Sequence, residues 1–225
     1  MNGLYLKYSL GFLMYQLQKI AIINYKAGNI TSLENSLKKL NYKPKIIKNG
    51  HDLINYNPSH IILPGVGAVG KTLEILKKLD FIDALDFCVN KNKSLFLGIC
   101  VGMQILANEC FEFGKHKGLG WIPGTVEKIN DKKKSIKVPH VGWNTLKIKK
   151  KDIIIYNFKN ATDVYFLHSY RYFCDQKYII TETKYGEYFP SIIGNKNIFG
   201  VQFHPEKSSV LGSLLIRNFL CIKKD

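Results

Sequence analysis

Short β-branched runs alternate with helix-patterned stretches through the first hundred residues, and this alternation restricts the fold more than any other feature. Ile20–Ile23, Lys45–Lys48, His60–Leu63 and Ser94–Leu97 read as strands, the third stopped by Pro64. Thr31-x-x-Glu34 has the form of a capping box, opening a helix with Leu33, Leu37 and Leu40 at helical spacing. Residues 69–79 and 81–90 read as helices, and another begins just after Gly98, carrying Met103, Gln104, Ile105 and Leu106. Strands that alternate with helices imply a mostly parallel sheet with helices on both faces. Residues 121–181 differ: Thr125–Ile129, Ile136–Val138, Val164–Leu167 and Tyr178–Thr181 are β-rich runs between Gly, Pro and Lys turns. They predict antiparallel strands added to the parallel sheet. Ile198–Phe203 reads as a buried strand and residues 208–220 as a last amphipathic helix. The expected fold class is therefore α/β: a mixed, mostly parallel open sheet with helices on both faces plus an antiparallel β extension. No repeat or long linker divides residues 19–225, which are expected to form a single domain.

A chain of 225 residues can bury a core without disulfides or a structural metal. Its five cysteines, at 88, 100, 110, 174 and 221, are odd in number and form no CxxC pair. That excludes a disulfide framework and a zinc site, predicts no metal or cofactor, and fits a reducing, cytoplasmic setting. The net charge of +16 raises nucleic-acid binding as a question. Only Arg171 and Arg217 among the 33 basic residues are arginines, whereas base-edge and bidentate phosphate contacts favour Arg. The lysine runs at 132–134 and 149–151 read as solvated loop or edge strand, so no nucleic-acid partner is expected. Residues 1–18 are apolar, but Lys7, Ser9 and Gln16 interrupt them and no small-residue cleavage site follows. They are too short and polar to span a membrane, and read as an extension of low functional weight, with Met14 an alternative start.

The chemistry concentrates where strands end. Gly98-Ile99-Cys100-Val101-Gly102 joins a buried strand to a helix, the pattern of a nucleophile elbow with Cys in place of Ser. The flanking glycines permit a sharp turn that lifts the Cys100 side chain over the sheet edge. The first turn of a helix then offers backbone N–H groups that favour negative charge there. The N–H of Val101 is placed to donate to an oxyanion. In Phe203-His204-Pro205-Glu206, Pro205 biases His204 to extended backbone, and residues two apart in an extended segment share a side. Glu206 can then orient His204 while His204 exchanges a proton with Cys100, giving nucleophile, acid/base and orienter. Both pieces end sheet strands, where ligand sites of α/β folds lie. Leu63-Pro64-Gly65-Val66-Gly67 ends another strand, and its glycines let the backbone turn a second oxyanion donor, at Val66, toward a ligand. Alone, that last segment is also what an ordinary strand-terminating turn looks like.

Together these segments resemble the class I, triad-type glutamine amidotransferases from about residue 19 to the C-terminus. Within that class they are most similar to the glutaminase subunits of imidazole glycerol phosphate synthase. The narrower markers are Pro139-His140-Val141-Gly142-Trp143-Asn144 and the loop ending Ala27-Gly28-Asn29, with Phe166-Leu167-His168-Ser169-Tyr170 and Gly200-Val201-Gln202-Phe203-His204-Pro205-Glu206-Lys207-Ser208 in support. The resemblance implies that Cys100 attacks the carboxamide of glutamine to form a γ-glutamyl thioester. His204 then protonates the departing ammonia and activates water, while Glu206 holds His204. Gly65 and Gly67 shape the oxyanion strand, and Gln104 with Ser169 and Tyr170 grips the amino-acid end of glutamine. The ammonia passes to a (β/α)8 cyclase subunit for histidine biosynthesis, with Asn29 and Trp143 at the heterodimer interface. Ammonia is mostly protonated at neutral pH, so a sealed route to its acceptor preserves its nucleophilicity. An exposed Trp suits an interface anchor, though a core position is the alternative. His140 and His168 read as structural hydrogen-bonding residues. The chain departs from the family in Asn24-Tyr25-Lys26, where Asp and Gly are usual at the first and third positions, and in Val141, where Met is common. Those departures leave a second acceptor open, a paralogous synthase that amidinates a surface-glycan sugar.

Overall fold

The computed structural model describes residues 18–129 and 136–224. All of the expected 1–18 extension except Gln18, and the lysine run at 132–134, lie outside the described residues. One nine-stranded sheet organises the molecule, and a separate four-stranded sheet lies beside it.

The parallel part of the large sheet follows the expected alternation. Strands β1 (Ile20–Ile23), β2 (Lys45–Ile47), β3 (His60–Gly65) and β4 (Leu95–Cys100) lie in the order β2-β1-β3-β4, all parallel. Helices α1 (Ile30–Lys39), α2 (Gly50–Tyr56), α3 (Val69–Lys78) and α4 (Phe81–Asp86) connect them. Every residue of β1, β3 and β4 is buried, as a strand covered on both faces requires. Pro64 does not stop β3, which continues to Gly65. The last pair of β3 with β1 is Ile22 with Ile62, so by Pro64 one side of the strand is free of a ladder and tolerates the missing N–H. The capping box is also overruled. Asn29 caps α1, its side-chain oxygen accepting from Ser32 N at 3.4 Å, so the helix starts before Thr31. The expected helix over 81–90 is α4 followed by a π-helical turn, Phe87–Lys91.

The antiparallel extension continues from β13 (Ile198–Val201), which pairs parallel with β4. Beyond it lie β12 (Glu187–Asn195), β11 (Ile179–Tyr185), β8 (His140–Ile148) and β9 (Thr162–His168). Burial alternates along β8 and β9, the mark of a sheet with one solvated face. Ile136–Val138 is not a strand; it leads into a cis Val138–Pro139 bond just before β8. The expected run Thr125–Ile129 does form strand β7 (Gly124–Lys128), but in the small sheet rather than the large one. There it joins β5 (Glu109–Cys110), β6 (His116–Lys117) and β10 (Tyr170–Cys174) in the order β10-β7-β5-β6. Helix α6 (Ser209–Cys221) closes the chain, its C-terminal turn touched by Gln18, whose Nε2 donates to Leu220 O.

Candidate active site

Strand β4 delivers Cys100 to the sheet edge and α5 (Val101–Gln104) starts immediately after it. Cys100 has φ 53° and ψ −106°, a left-handed conformation that costs a non-glycine residue about 1–3 kcal/mol. The neighbouring glycines serve close approach rather than positive φ. A Cβ on Gly98 would collide with the Gly102 carbonyl, and one on Gly102 with the Leu63 carbonyl. The elbow therefore packs β3 and β4 against α5 with no room for side chains. α5 is one turn of four residues, shorter than expected, so the groups it offers the sulfur are local N–H groups rather than a long helix dipole.

Cys100 opens on a cavity of about 370 Å³, the lower part of the range for small-molecule sites. Val66, Gly67, Val101, Gln104, Ser169, Tyr170 and His204 line it with Cys100, so most of the residues singled out from the sequence converge there. Gly65 lies just beneath, where a Cβ would meet Val101 Cβ at 2.8 Å and the Tyr25 hydroxyl at 3.0 Å. Gly67 has φ +93° with open space around it, so its glycine serves backbone conformation.

His204 reaches the cavity from the segment after β13, and Glu206 Oε1 accepts its Nδ1–H at 2.9 Å. The pairing does not come from an extended segment. His204 is extended, but Pro205–Lys207 is a 3-10 turn that folds the carboxylate back onto the ring. Ser208 fixes the turn, donating from Oγ to His204 O at 2.7 Å and accepting from Tyr165 N at 3.0 Å. Burial by itself would lower the ring's pKa. The Cys100 sulfur and the Glu206 carboxylate outweigh it and hold His204 well above the usual histidine range. Nε2 faces the Cys100 sulfur, the neighbour that does most to raise the ring's pKa.

The opposite wall comes from the antiparallel strands. Gln104 Nε2 donates to Tyr170 O at 3.1 Å and to Gln202 Oε1 at 3.2 Å. With both hydrogens committed, Gln104 has only Oε1 to offer a ligand. The Tyr170 carbonyl also accepts from His168 Nδ1 at 2.8 Å, and His168 Nε2 meets His140 Nδ1 at 3.0 Å. Burial holds the pKa of His140 down to about 4 and that of His168 to about 3, so both rings are neutral. They are structural hydrogen-bonding residues, as the sequence suggested. Trp143 is 54% exposed on β8, not a core residue, and Val141 beside it is 53% exposed.

The whole arrangement has counterparts in known proteins. Residues 21–222 match the family described as glutamine amidotransferase class-I. The chain is 40% identical over 200 residues to the imidazole glycerol phosphate synthase subunit HisH 1 of Campylobacter jejuni, covering 89% of this chain and 98% of that one. It is 37% identical to the HisH subunit of Aquifex aeolicus, covering 89% and 95%, and 41% identical to HisH 2 of Methanococcus maripaludis, covering 89% and 98%. The chain belongs to the class-I glutamine amidotransferases, in the HisH family. A solved glutamine amidotransferase shares its fold with a TM-score of 0.69 at 17% identity, covering 89% of this chain and 96% of that one. PurLQS of Thermotoga maritima does so at 0.67 and 17%, covering 91% and 98%.

The departures from the class-I amidotransferase pattern are locally compensated. Lys26, the third residue of the loop after β1, takes φ 66°. Asn24, in place of Asp, accepts from Lys26 N at 3.0 Å and so makes the turn an Asx-turn. Asn29 uses its side-chain oxygen as the α1 cap, which is the local reason for its presence. Three lining residues of this HisH-family site, Ala68, Glu112 and Phe113, were not marked by the sequence, and Glu112 is the charged one. Glu112 lies in the cavity wall, its Oε2 accepting from Val69 N at 2.7 Å at the start of α3. It sits between Phe111 and Phe113 in a segment without any motif, and only its burial in the wall that Gln104 and Tyr170 share marks it. Burial raises its pKa, against the Val69 N–H that lowers it.

Proposed function

We propose that Cys100, His204 and Glu206 carry out glutamine hydrolysis in this amidotransferase, with the ammonia delivered to a (β/α)8 cyclase subunit of imidazole glycerol phosphate synthase. The observation that carries this reading is the convergence, on one cavity, of a strained elbow cysteine and a histidine held by a buried carboxylate. Cys100 gives its proton to His204 and attacks the carboxamide carbon. The oxyanion that forms is met by the N–H groups of Val101 and, from the Gly65–Gly67 loop, Val66. His204 passes the proton to the nitrogen, ammonia leaves, and a γ-glutamyl thioester remains. His204 next takes a proton from water, hydroxide adds to the thioester, and the proton returns to sulfur as glutamate departs. Glu206 keeps the Nδ1 proton in place and balances the imidazolium.

Glutamine is a zwitterion at its other end. The Oε1 of Gln104 and the carboxylate of Glu112 are the acceptors for its ammonium group, with Ser169 and Tyr170 beside them. The partner docks over the mouth. Val66, Phe113 and Leu167 line the cavity and are 40%, 87% and 38% exposed, and Trp143 stands out from the adjacent strand as an aromatic anchor. Asn29, the N-cap of α1, is assigned to this face by the family resemblance. The relatives are subunits of imidazole glycerol phosphate synthase, which supports an acceptor in histidine biosynthesis.

The test mixes the chain with the cyclase subunit and follows product formation. Cys100→Ala is expected to abolish synthesis from glutamine while leaving synthesis from ammonium salts intact. Continued use of glutamine by that variant refutes the nucleophile assignment, and failure of the wild-type chain to serve the cyclase refutes the acceptor.

A further inference from the structure

The proposed reaction leaves one buried residue beside the nucleophile unused. Gln202 is fully buried in the segment after β13 and its Nε2 donates to Cys100 Sγ at 3.6 Å. The thiol in turn points at Leu167 O, 3.7 Å away. The sulfur thus sits between a donor and an acceptor that together select one rotamer.

The pose of Gln202 is itself determined, and the determination can be followed outward. Tyr170 O is a carbonyl, so the His168 nitrogen that meets it, Nδ1, carries the proton. A neutral His168 then has a bare Nε2, so His140 Nδ1 must be the donor across the 3.0 Å contact. That leaves His140 Nε2 bare, and it accepts from Asn144 Nδ2 at 3.2 Å. Asn144 cannot be turned over, because its Nδ2 also donates to Lys184 O and its Oδ1 accepts from Thr145 N. From Tyr170 O the order continues inward. Gln104 Nε2 donates to that carbonyl and to Gln202 Oε1, which leaves Gln202 Nε2 facing the sulfur. Every donor has one assignment. The chain runs from Asn144 to Cys100, and Asn144 lies next to the exposed Trp143 on β8.

We propose that Gln202 is a positioning residue for the Cys100 thiol, held in its pose by Gln104, which the Tyr170 carbonyl orients and so joins to the hydrogen bonds running in from Asn144 on the outer strand. A N–H donor aimed at sulfur stabilises the charge that sulfur carries during attack, and fixes the direction from which it attacks. The Tyr170 carbonyl is set by the pairing of β10 with β7, and the neutral histidine pair satisfies it alongside Gln104. The purpose of this device rests on the glutaminase reading; its geometry does not.

The experiment uses the full-length chain and two thiol reagents. Iodoacetamide reads the thiol alone, and 6-diazo-5-oxo-L-norleucine, a glutamine analogue that alkylates a thiol once bound, reads it from within the cavity. Adducts on Cys100 are located by peptide mass spectrometry. In Gln202→Leu the maximal labelling rate with the analogue is expected to fall about tenfold, with its half-saturating concentration within threefold of wild type, and iodoacetamide labelling is expected to fall to match. Gln202→Asn keeps an amide but is one methylene too short to reach sulfur, and is expected to behave in the same way should the leucine variant not fold. Wild-type labelling rates in the folded variants overturn the proposal. So does a half-saturating concentration that moves more than threefold, which marks damage to the pocket rather than to the thiol. Should the analogue fail to label the wild-type chain, the glutaminase reading fails and iodoacetamide still decides the role of Gln202. Nitrogen-15 spectra test the chain directly: His140 and His168 must both carry their proton on Nδ1, and an Nε2 proton on either ring overturns the assignment.

Discussion

The cavity has two walls built on different principles. One is made where parallel strands β3, β4 and β13 end; the other is made by the antiparallel β8 and β9 and by the start of β10. At the parallel ends the chain must leave the sheet abruptly. It does so with a left-handed cysteine, a positive-φ Gly67 and a 3-10 turn after His204. Those turns free backbone N–H groups and aim side chains at solvent or ligand. The antiparallel wall keeps its ladder, pairing His140 with His168 directly across β8 and β9, and its polar groups satisfy one another. The outcome is visible in three imidazoles. His204, beside a carboxylate and a thiol, is biased toward the charged form; His140 and His168, beside each other and aromatic rings, stay neutral. A histidine's neighbours, rather than its depth, decide whether it moves protons or holds a shape.

The largest effect that separates the walls is on turnover. His204→Ala is expected to lower glutaminase kcat by at least about 10³-fold, because it removes both the acid and the base. His140→Leu is expected to lower kcat by about tenfold or less, while lowering unfolding free energy by about 2 kcal/mol for the hydrogen bonds left unmade. Equal kinetic losses in the two variants would erase the distinction. Within the first wall, Glu206→Gln keeps the shape but gives Nδ1 a competing donor, and a kcat loss of about 10²-fold is expected with KM nearly unchanged. A loss confined to KM would make Glu206 a pocket residue instead.

The same contrast governs what could be read in advance. The first wall was legible because abrupt turns need particular residues. Gly98, Gly102 and Gly65 stand where no Cβ fits, and the Cys, His and Glu between them are chemically distinctive. Even there the local reason could differ, since Glu206 meets His204 through a 3-10 turn and not an extended segment. In the second wall β9 was legible from its β-rich run, whereas β8 was marked only by family resemblance. β8 intersperses Gly142, Asn144 and Lys147 among its apolar residues, and that mixture does not announce a nine-residue strand. The division into two sheets was hidden for a similar reason. The sequence of β7 states that it is a strand but not which neighbour it pairs with. Gln202 and Glu112 matter through partners 102 and 43 residues away, and no local spacing encodes those.

Acid sharpens the comparison by a smaller amount. His140 and His168 stay unprotonated when folded but take a proton near pH 6.5 when unfolded. Between pH 6.5 and about 4 the unfolded chain therefore binds more protons, and stability falls as pH falls. Each ring contributes up to about 1.4 kcal/mol per pH unit. His60, pushed down to about 4 by burial at the far end of β3, adds to the same slope. His204 has the opposite sign: its raised value favours the fold at low pH and that contribution is lost as pH rises. Urea unfolding at pH 7 and pH 5 should show the net loss, and it should shrink in His140→Leu. A slope unchanged by that variant would mean that the second wall is not held by a neutral ring.

The smallest expected effect on stability lies at the outer face of the second wall. Trp143 touches Tyr165 edge-on, with ring centroids 6.1 Å apart, and is otherwise 54% exposed. Trp143→Ala should change unfolding free energy by no more than about 0.5 kcal/mol, the range of ordinary surface substitutions. A side chain so large and so little used by its own fold is the proposed anchor for the partner. Binding of the cyclase subunit should therefore weaken about tenfold or more in the same variant, as for a truncated aromatic anchor. The two measurements oppose each other by design. Unfolding in urea reads what Trp143 does for this chain, and titration with the partner reads what it does for the pair. A stability loss above about 2 kcal/mol with unchanged partner affinity would make Trp143 part of the fold. The antiparallel wall would then be a closed structural element, with its hydrogen-bond chain ending at Asn144 instead of beginning at a docking face.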